Sequence, residues 1–250
     1  MMNKQVFFTL YNKNSPISPH RDIGHLDARL FLRAMSVHVA YFLGGQKVSA
    51  NKITFLFISL GLLANSLVLS DSIWVLSIAV FLEELAQLFD CVDGQLARFH
   101  GTASDFGRIF DKTAHAVLGS TFLLVLGSKI YFFTENPLYL VLALVSGGFL
   151  TLISFQSGGT KIAAKGTPSV TGFWHSGINW FARQVVTVFD EPRFFAALVL
   201  LGTLLERLIN LESGAVISGI FVAGVSIIAL RVFFEKAYWP LRNFFAVSTR

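Results

Sequence analysis

Apolar and polar residues along this chain separate into blocks rather than into the faces of soluble helices. Residues 53–70, 136–160 and 213–230 contain no Asp, Glu, Lys or Arg. Each block approaches the ~20 apolar residues that an α-helix needs to cross the bilayer core. Three further apolar stretches are interrupted by ionisable groups: 72–99 by Glu83, Glu84, Asp90 and Asp93, 105–133 by Asp111 and Lys129, and 185–205 by Asp190, Glu191 and Arg193 in its first half. The pattern predicts an all-α integral membrane protein with six transmembrane helices. Ahead of them, residues 25–45 place Leu26, Leu30, Ala34, Val37 and Tyr41 on one helical face and Arg29, Arg33 and Ser36 on another. That segment reads as an amphipathic helix lying in the membrane interface. The chain then divides into an N-terminal segment at 1–47, a six-helix domain at 48–236 and a tail at 237–250. The apolar run at 6–10 is too short for a signal peptide, and no soluble domain is expected.

Composition agrees with this reading. Of 250 residues, 54% are hydrophobic and 14% charged, against about 25% charged in soluble domains. A single Cys, Cys91, excludes a disulfide scaffold. Charge adds orientation. Lys and Arg gather before the first span, in the second-to-third and fourth-to-fifth connections and after the last span, leaving only Lys129 and Arg207 of the 20 for the other side. Cytoplasmic loops hold the excess of basic residues, so both termini are expected in the cytoplasm and the protein is multi-pass. The net charge of +5 is thereby explained by orientation and anionic headgroups. No stacking platform or groove-reading motif accompanies it, so nucleic acid is not an expected partner.

The informative stretch is 90–115, DCVDGQLARFHGTASDFGRIFDKTAH. Carboxylates in a membrane helix cost roughly 2.5–3.5 kcal/mol each on insertion scales and need a compensating partner. A divalent cation is the natural one. Asp90 and Asp93 are three apart at the end of the second span, and Asp111 and His115 are four apart near the start of the third. A hairpin turning around 101–104 can aim both pairs, four ligands in all, into one space. Gly94 and Gly107 remove side chains beside them, permitting close approach of a helix or a phosphate. Arg108 and Lys112 flank Asp111, where a phosphate contact is expected. Glu83 and Gln87 continue a polar stripe from Asp90 into the span, suited to acceptor hydroxyls or to hydrogen bonds between helices. Arg183, with Lys161, Lys165 and Arg193, suits a phosphate or anionic headgroup, or simply a positive-inside loop. His20, His25, His38, His100 and His175 show no ligand spacing.

Asp90, Asp93, Gly94, Ala97, Arg98, Gly107 and Asp111 resemble the signature of the CDP-alcohol phosphotransferase (CDP-alcohol phosphatidyltransferase) family, Asp-x2-Asp-Gly-x2-Ala-Arg-x8-Gly-x3-Asp-x3-Asp. Seven such matches at about one in twenty each arise by chance on the order of once in a billion starts. The run with Asn51, Thr54 and Gly61 is similar to the family's entrance to its first span, with Ala50 where Pro is usual. The resemblance implies a metal-dependent membrane transferase that displaces CMP from a CDP-linked donor and passes a phosphatidyl or phosphoalcohol group to an acceptor hydroxyl. It implies that Asp90, Asp93 and Asp111 hold the ion, Mg²⁺ foremost, and that Asp93, Gly94, Ala97, Arg98 and Gly107 shape the nucleotide pocket. It also implies membrane lipid as a partner and an active site facing the cytoplasm, with a homodimer as one assembly open to the chain. The sequence departs from the family at the fourth aspartate, which is His115 here. In the family that carboxylate is the general base. Three roles are open to His115: the base, since an imidazole with an ordinary pKa near ~6.5 suits proton abstraction; a metal ligand that moves preference toward Mn²⁺ or Zn²⁺; or the mark of a catalytically silent lipid- or nucleotide-binding protein of the same fold.

Overall fold

The computed structural model describes residues 32–46, 48–156, 192–211 and 214–232. Among these the structure is all-helical, with α1 (Arg33–Gly45), α2 (Ala50–Leu67), α3 (Ile73–Phe99), α4 (Asp105–Thr134), α5 (Leu138–Gln156), α6 (Pro192–Leu208) and α7 (Ala215–Val232). The three uncharged blocks fall on α2, α5 and α7, and the three interrupted ones on α3, α4 and α6. α2 and α4 are long and apolar enough to cross a membrane, while Leu138–Leu152 and Ala215–Leu230 form shorter apolar helices. Lys161, Lys165 and Arg183 lie outside the described residues, as do 1–31 and the tail.

Local signals set the helix ends. Pro192 opens α6, where its missing N–H is no loss. α2 stops at Leu67, three residues short of its uncharged block, because the carbonyls that follow are drawn to a cation: Lys129 Nζ of α4 donates to Val68 O at 3.1 Å and Ser70 O at 2.5 Å and lies 3.2 Å from Asp71 Oδ1. Arg207 Nη2 reaches the same turn through Asp71 O. Glu206 accepts the backbone N–H groups of Gly214, Val216 and Ile217, which satisfies orphan donors at the start of α7 and places an acid at its positive end.

Packing decides where the site forms. α4 is the spine: Phe122, Leu123, Leu126 and Ile130 meet Phe195 and Val199 of α6 and Ile217 and Phe221 of α7 in the main core. Gly127 lets α5 approach closely, since a Cβ there would stand 2.6 Å from Ala143 Cβ. α2 packs on both α3 and α4, whereas α3 and α4, though consecutive, scarcely touch. They splay apart with α2 wedged against both, and the space left between them carries the polar residues.

α1 differs from its expected amphipathic face. Ser36, placed there among the polar residues, is fully buried beside Val37 and Ala40. The reason lies in α3, where Gln95 Nε2 donates to Ser36 Oγ at 2.6 Å. A small hydroxyl residue both permits close approach and meets the buried amide, so α1 docks on α3 through Ser36 and presents Met35 and Phe42 outward.

Candidate active site

The α3–α4 turn is locally specified. Gly101 takes φ +65°, its N–H bonds Arg98 O, and Thr102 N–H bonds Ala97 O at 2.9 Å. This is a Schellman closure that only a residue at ease in the left-handed region ends cheaply. Ser104 then caps α4, its Oγ accepting from Gly107 N–H at 3.1 Å.

Across the resulting gap, Asp90 of α3 meets Asp111 and His115 of α4. His115 Nε2 stands 3.2 Å from Asp90 Oδ1 and 3.5 Å from Asp111 Oδ1, and one ligand atom from each residue lies within 4.8 Å of the others. The second oxygen of Asp90 accepts from Gln87 Nε2 at 2.9 Å, so this carboxylate is fixed from both sides. Phe57 of α2 closes over the imidazole, with ring centroids 5.3 Å apart. Two carboxylate oxygens and an imidazole nitrogen at this spacing fit a divalent cation.

Asp93 behaves differently. It is 7% exposed, and its Oδ2 accepts from Thr54 Oγ1 of α2 at 2.6 Å. Positions three apart on a helix differ by about 60° around the axis, and here that offset sends Asp90 toward α4 and Asp93 toward α2. Three of the four expected ligands therefore converge, with Asp93 beside them on its own partner.

A cleft of about 680 Å³ opens next to this cluster, lined among others by Asp93, Gly94, Ala97, Arg98, Gly107 and Asp111. Asp111 belongs to both the cleft and the cluster. A Cβ at Gly94 would stand 3.3 Å from Arg98 Nη1, so the guanidinium folds back over the glycine. Asn51, Thr54, His100 and Arg108 also face the cleft. The exposed Arg108 pairs with Asp105 at 2.9 Å, whereas Lys112, the next residue after Asp111, is not part of the lining. Deeper in α3, Glu83 is buried, while Glu84 Oε2 lies 3.6 Å from Arg193 Nη1 of α6.

Sequence reasoning missed Phe57 and gave Thr54 no partner, and it set His100 aside. The signals were faint. Thr54 is 39 residues from Asp93, and no local spacing ties the two together.

The family model for CDP-alcohol phosphatidyltransferase matches residues 47–171, half of the chain. The match takes in α2 to α5 and thus every residue of the Asp–His cluster and of the cleft lining named above. No curated protein matches the chain.

Proposed function

Since the chain belongs to the CDP-alcohol phosphatidyltransferase family, a membrane-associated phosphotransferase family, we propose that it transfers a phosphatidyl or phosphoalcohol group from a CDP-linked donor to an acceptor hydroxyl. The observation that carries this reading is the convergence of Asp90, Asp111 and His115 at the edge of the cleft lined by the remaining signature residues. The family depends on a divalent metal, which Asp90 and Asp111 would hold with Asp93 alongside, leaving the His115 Nε2 lone pair for a proton. Mg²⁺ is the proposed ion, with Mn²⁺ or Zn²⁺ open to a site that includes an imidazole. When bound, the ion supplies charge neutralisation of the diphosphate and of departing CMP.

The chain's own residues do the rest. Gly94, Ala97, Arg98 and Gly107 shape the cleft for the nucleotide, with the Arg98 guanidinium available to its phosphates. Arg108, Lys112 and Arg183 are proposed to meet a substrate phosphate, and Glu83 and Gln87 the acceptor. The acceptor oxygen attacks the phosphorus bearing the alcohol, the bond from that phosphorus to the bridging oxygen breaks, and CMP leaves with the bridging oxygen. His115 Nε2 takes the hydroxyl proton. The imidazolium so formed has the Asp90 carboxylate 3.2 Å away to meet its charge.

Six spans, with the interfacial helix in segment 1–47, the domain at 48–236 and the tail at 237–250, are proposed on the hydropathy blocks. The uneven distribution of Lys and Arg supports cytoplasmic termini and a site open to the cytoplasm, where CDP-linked donors are made. A second copy of the chain is a proposed partner.

The test is CMP release by the purified protein from a panel of CDP-linked donors. Release is expected only with a divalent ion and is expected to vanish in Asp90→Asn and Asp111→Asn. Undiminished release with chelator, or in either variant, refutes the assignment.

A further inference from the structure

Phe57 lies on the buried face of α2, which also carries Thr54, Gly61 and Asn65. Each of those three ties α2 to a neighbour. Thr54, one turn before Phe57, donates to Asp93 of α3 at 2.6 Å. One turn after it, Gly61 admits Leu118 of α4, since a Cβ there would stand 2.8 Å from Leu118 Cδ2. Asn65, a turn further, donates through Nδ2 to Leu118 O at 3.0 Å and to Thr121 Oγ1 at 2.9 Å. Phe57 itself is 3% exposed and packs with Ala86 of α3 and with Ala114 and Leu118 of α4. Anchored before and after, its ring has little room to move.

His115 is in the opposite condition. Its side chain is 46% exposed, and the two acids that approach it do so at a single atom, Nε2, with Asp90 at 3.2 Å and Asp111 at 3.5 Å. Contacts at one atom place that atom and let the ring swing about it. The Phe57 ring, 5.3 Å away between centroids and inclined at 55°, is a fixed wall against that swing, and tilted aromatic pairs of this kind attract. Orientation matters here because the Nε2 lone pair lies in the ring plane. A hydrogen bond to that lone pair weakens steeply as it turns off line.

We infer that Phe57 is a positioning residue, which fixes the plane of the His115 imidazole so that Nε2 meets the acceptor hydroxyl in line. The inference rests on the transferase reading above, with His115 as the base. The proton still passes from the hydroxyl to Nε2, and Phe57 touches neither the donor nor the acceptor. Phe57 does not line the cleft, so its effect falls on turnover rather than on donor binding. A small misplacement of a reacting group by a residue outside the chemistry is enough to slow the step.

The experiment uses the full-length protein in detergent with Mg²⁺ and either CDP-diacylglycerol or a soluble CDP-alcohol, whichever releases CMP in the presence of an acceptor alcohol. Phe57→Leu keeps an apolar side chain in the pocket and removes the ring. It should lower kcat about three- to tenfold, the worth of one aromatic pair read as a rate. The KM for the donor, and the Mn²⁺ affinity measured by paramagnetic resonance, should stay within about twofold. The same substitution made in His115→Asp, or in His115→Ala where that turns over faster, should cost less than about twofold, because neither side chain has a ring plane to fix. An unchanged kcat in Phe57→Leu, or an equal loss in both backgrounds, overturns the inference while leaving the transferase reading in place. A parallel fall in Mn²⁺ affinity overturns it too, since that reports collapse of the whole site rather than a turned imidazole. Absence of metal-dependent CMP release from the parent protein overturns both.

Discussion

Replacing Thr54 by Val is the cleanest perturbation of the site, because the two side chains have nearly the same shape. The substitution deletes the 2.6 Å hydrogen bond from Thr54 Oγ1 to Asp93 Oδ2, along with the longer 3.2 Å contact of the same hydroxyl to Ala50 O in its own helix. The acceptor is a carboxylate with 7% of its surface exposed, so water replaces the lost donor poorly. Hydrogen bonds to charged groups contribute about 1.5–3 kcal/mol, equivalent to roughly 10- to 100-fold in an equilibrium constant. That matches the usual loss in metal affinity when an outer partner of a ligand is removed. Thr54→Val should therefore weaken Mn²⁺ binding, read directly by paramagnetic resonance on the purified protein, by about 10- to 100-fold. The Mg²⁺ concentration needed for half-maximal CMP release should rise in parallel, and Thr54→Ser should restore both. Wild-type Mn²⁺ affinity in a folded Thr54→Val protein would refute the idea that α2 holds Asp93 for the ion. Equal damage in the Ser variant would show that the methyl group, not the hydroxyl, matters.

Two further outcomes follow from the geometry. His115→Ala should cost roughly 10²- to 10⁴-fold in turnover, the range of a general-base contribution, while His115→Asp should retain activity; full turnover in the alanine variant, or activity that appears only in the aspartate variant, rules out the base. Gly127→Ala forces a Cβ to within 2.6 Å of Ala143 Cβ and 2.9 Å of Tyr139 O, overpacking that costs about 1–3 kcal/mol, whereas Gly148 has nothing within 4 Å and Gly148→Ala should be neutral or stabilising by up to about 1 kcal/mol; thermal unfolding in detergent that ranks the two the other way would contradict the α4–α5 packing.

The helices were legible where the apolar pattern is long. The blocks at 53–70, 136–160 and 213–230 mark α2, α5 and α7 because uninterrupted apolar runs admit few other structures. Boundaries were less so, since the end of α2 depends on Lys129, which is 61 residues from Val68. The inward face of α1 was misassigned at Ser36 for the same kind of reason, its burial being decided by Gln95, 59 residues away. In the site, Asp111 and His115 could be paired from spacing alone, because four residues return to nearly the same side of one helix. The pair Asp90 and Asp93 could not be resolved that way. Which of the two faces α4 depends on where α2 sits, and only tertiary structure supplies that.

The placement of α2 also explains why an imidazole is tolerated where a fourth carboxylate is usual. With Asp93 held alongside by Thr54, the three groups that converge are Asp90, Asp111 and His115, whose two carboxylates carry a formal charge of −2 when the imidazole is neutral. One divalent cation matches the charge of those two carboxylates. A carboxylate at position 115, as the family has, adds one more negative charge to the cluster. The imidazole thus lowers the positive charge that the cluster demands while keeping a lone pair available for a proton. Phe57 covers one side of the ring. The substitution at 115 and the wedge of α2 are in this sense one feature: the helix that holds Asp93 beside the cluster also supplies the surface on which His115 rests.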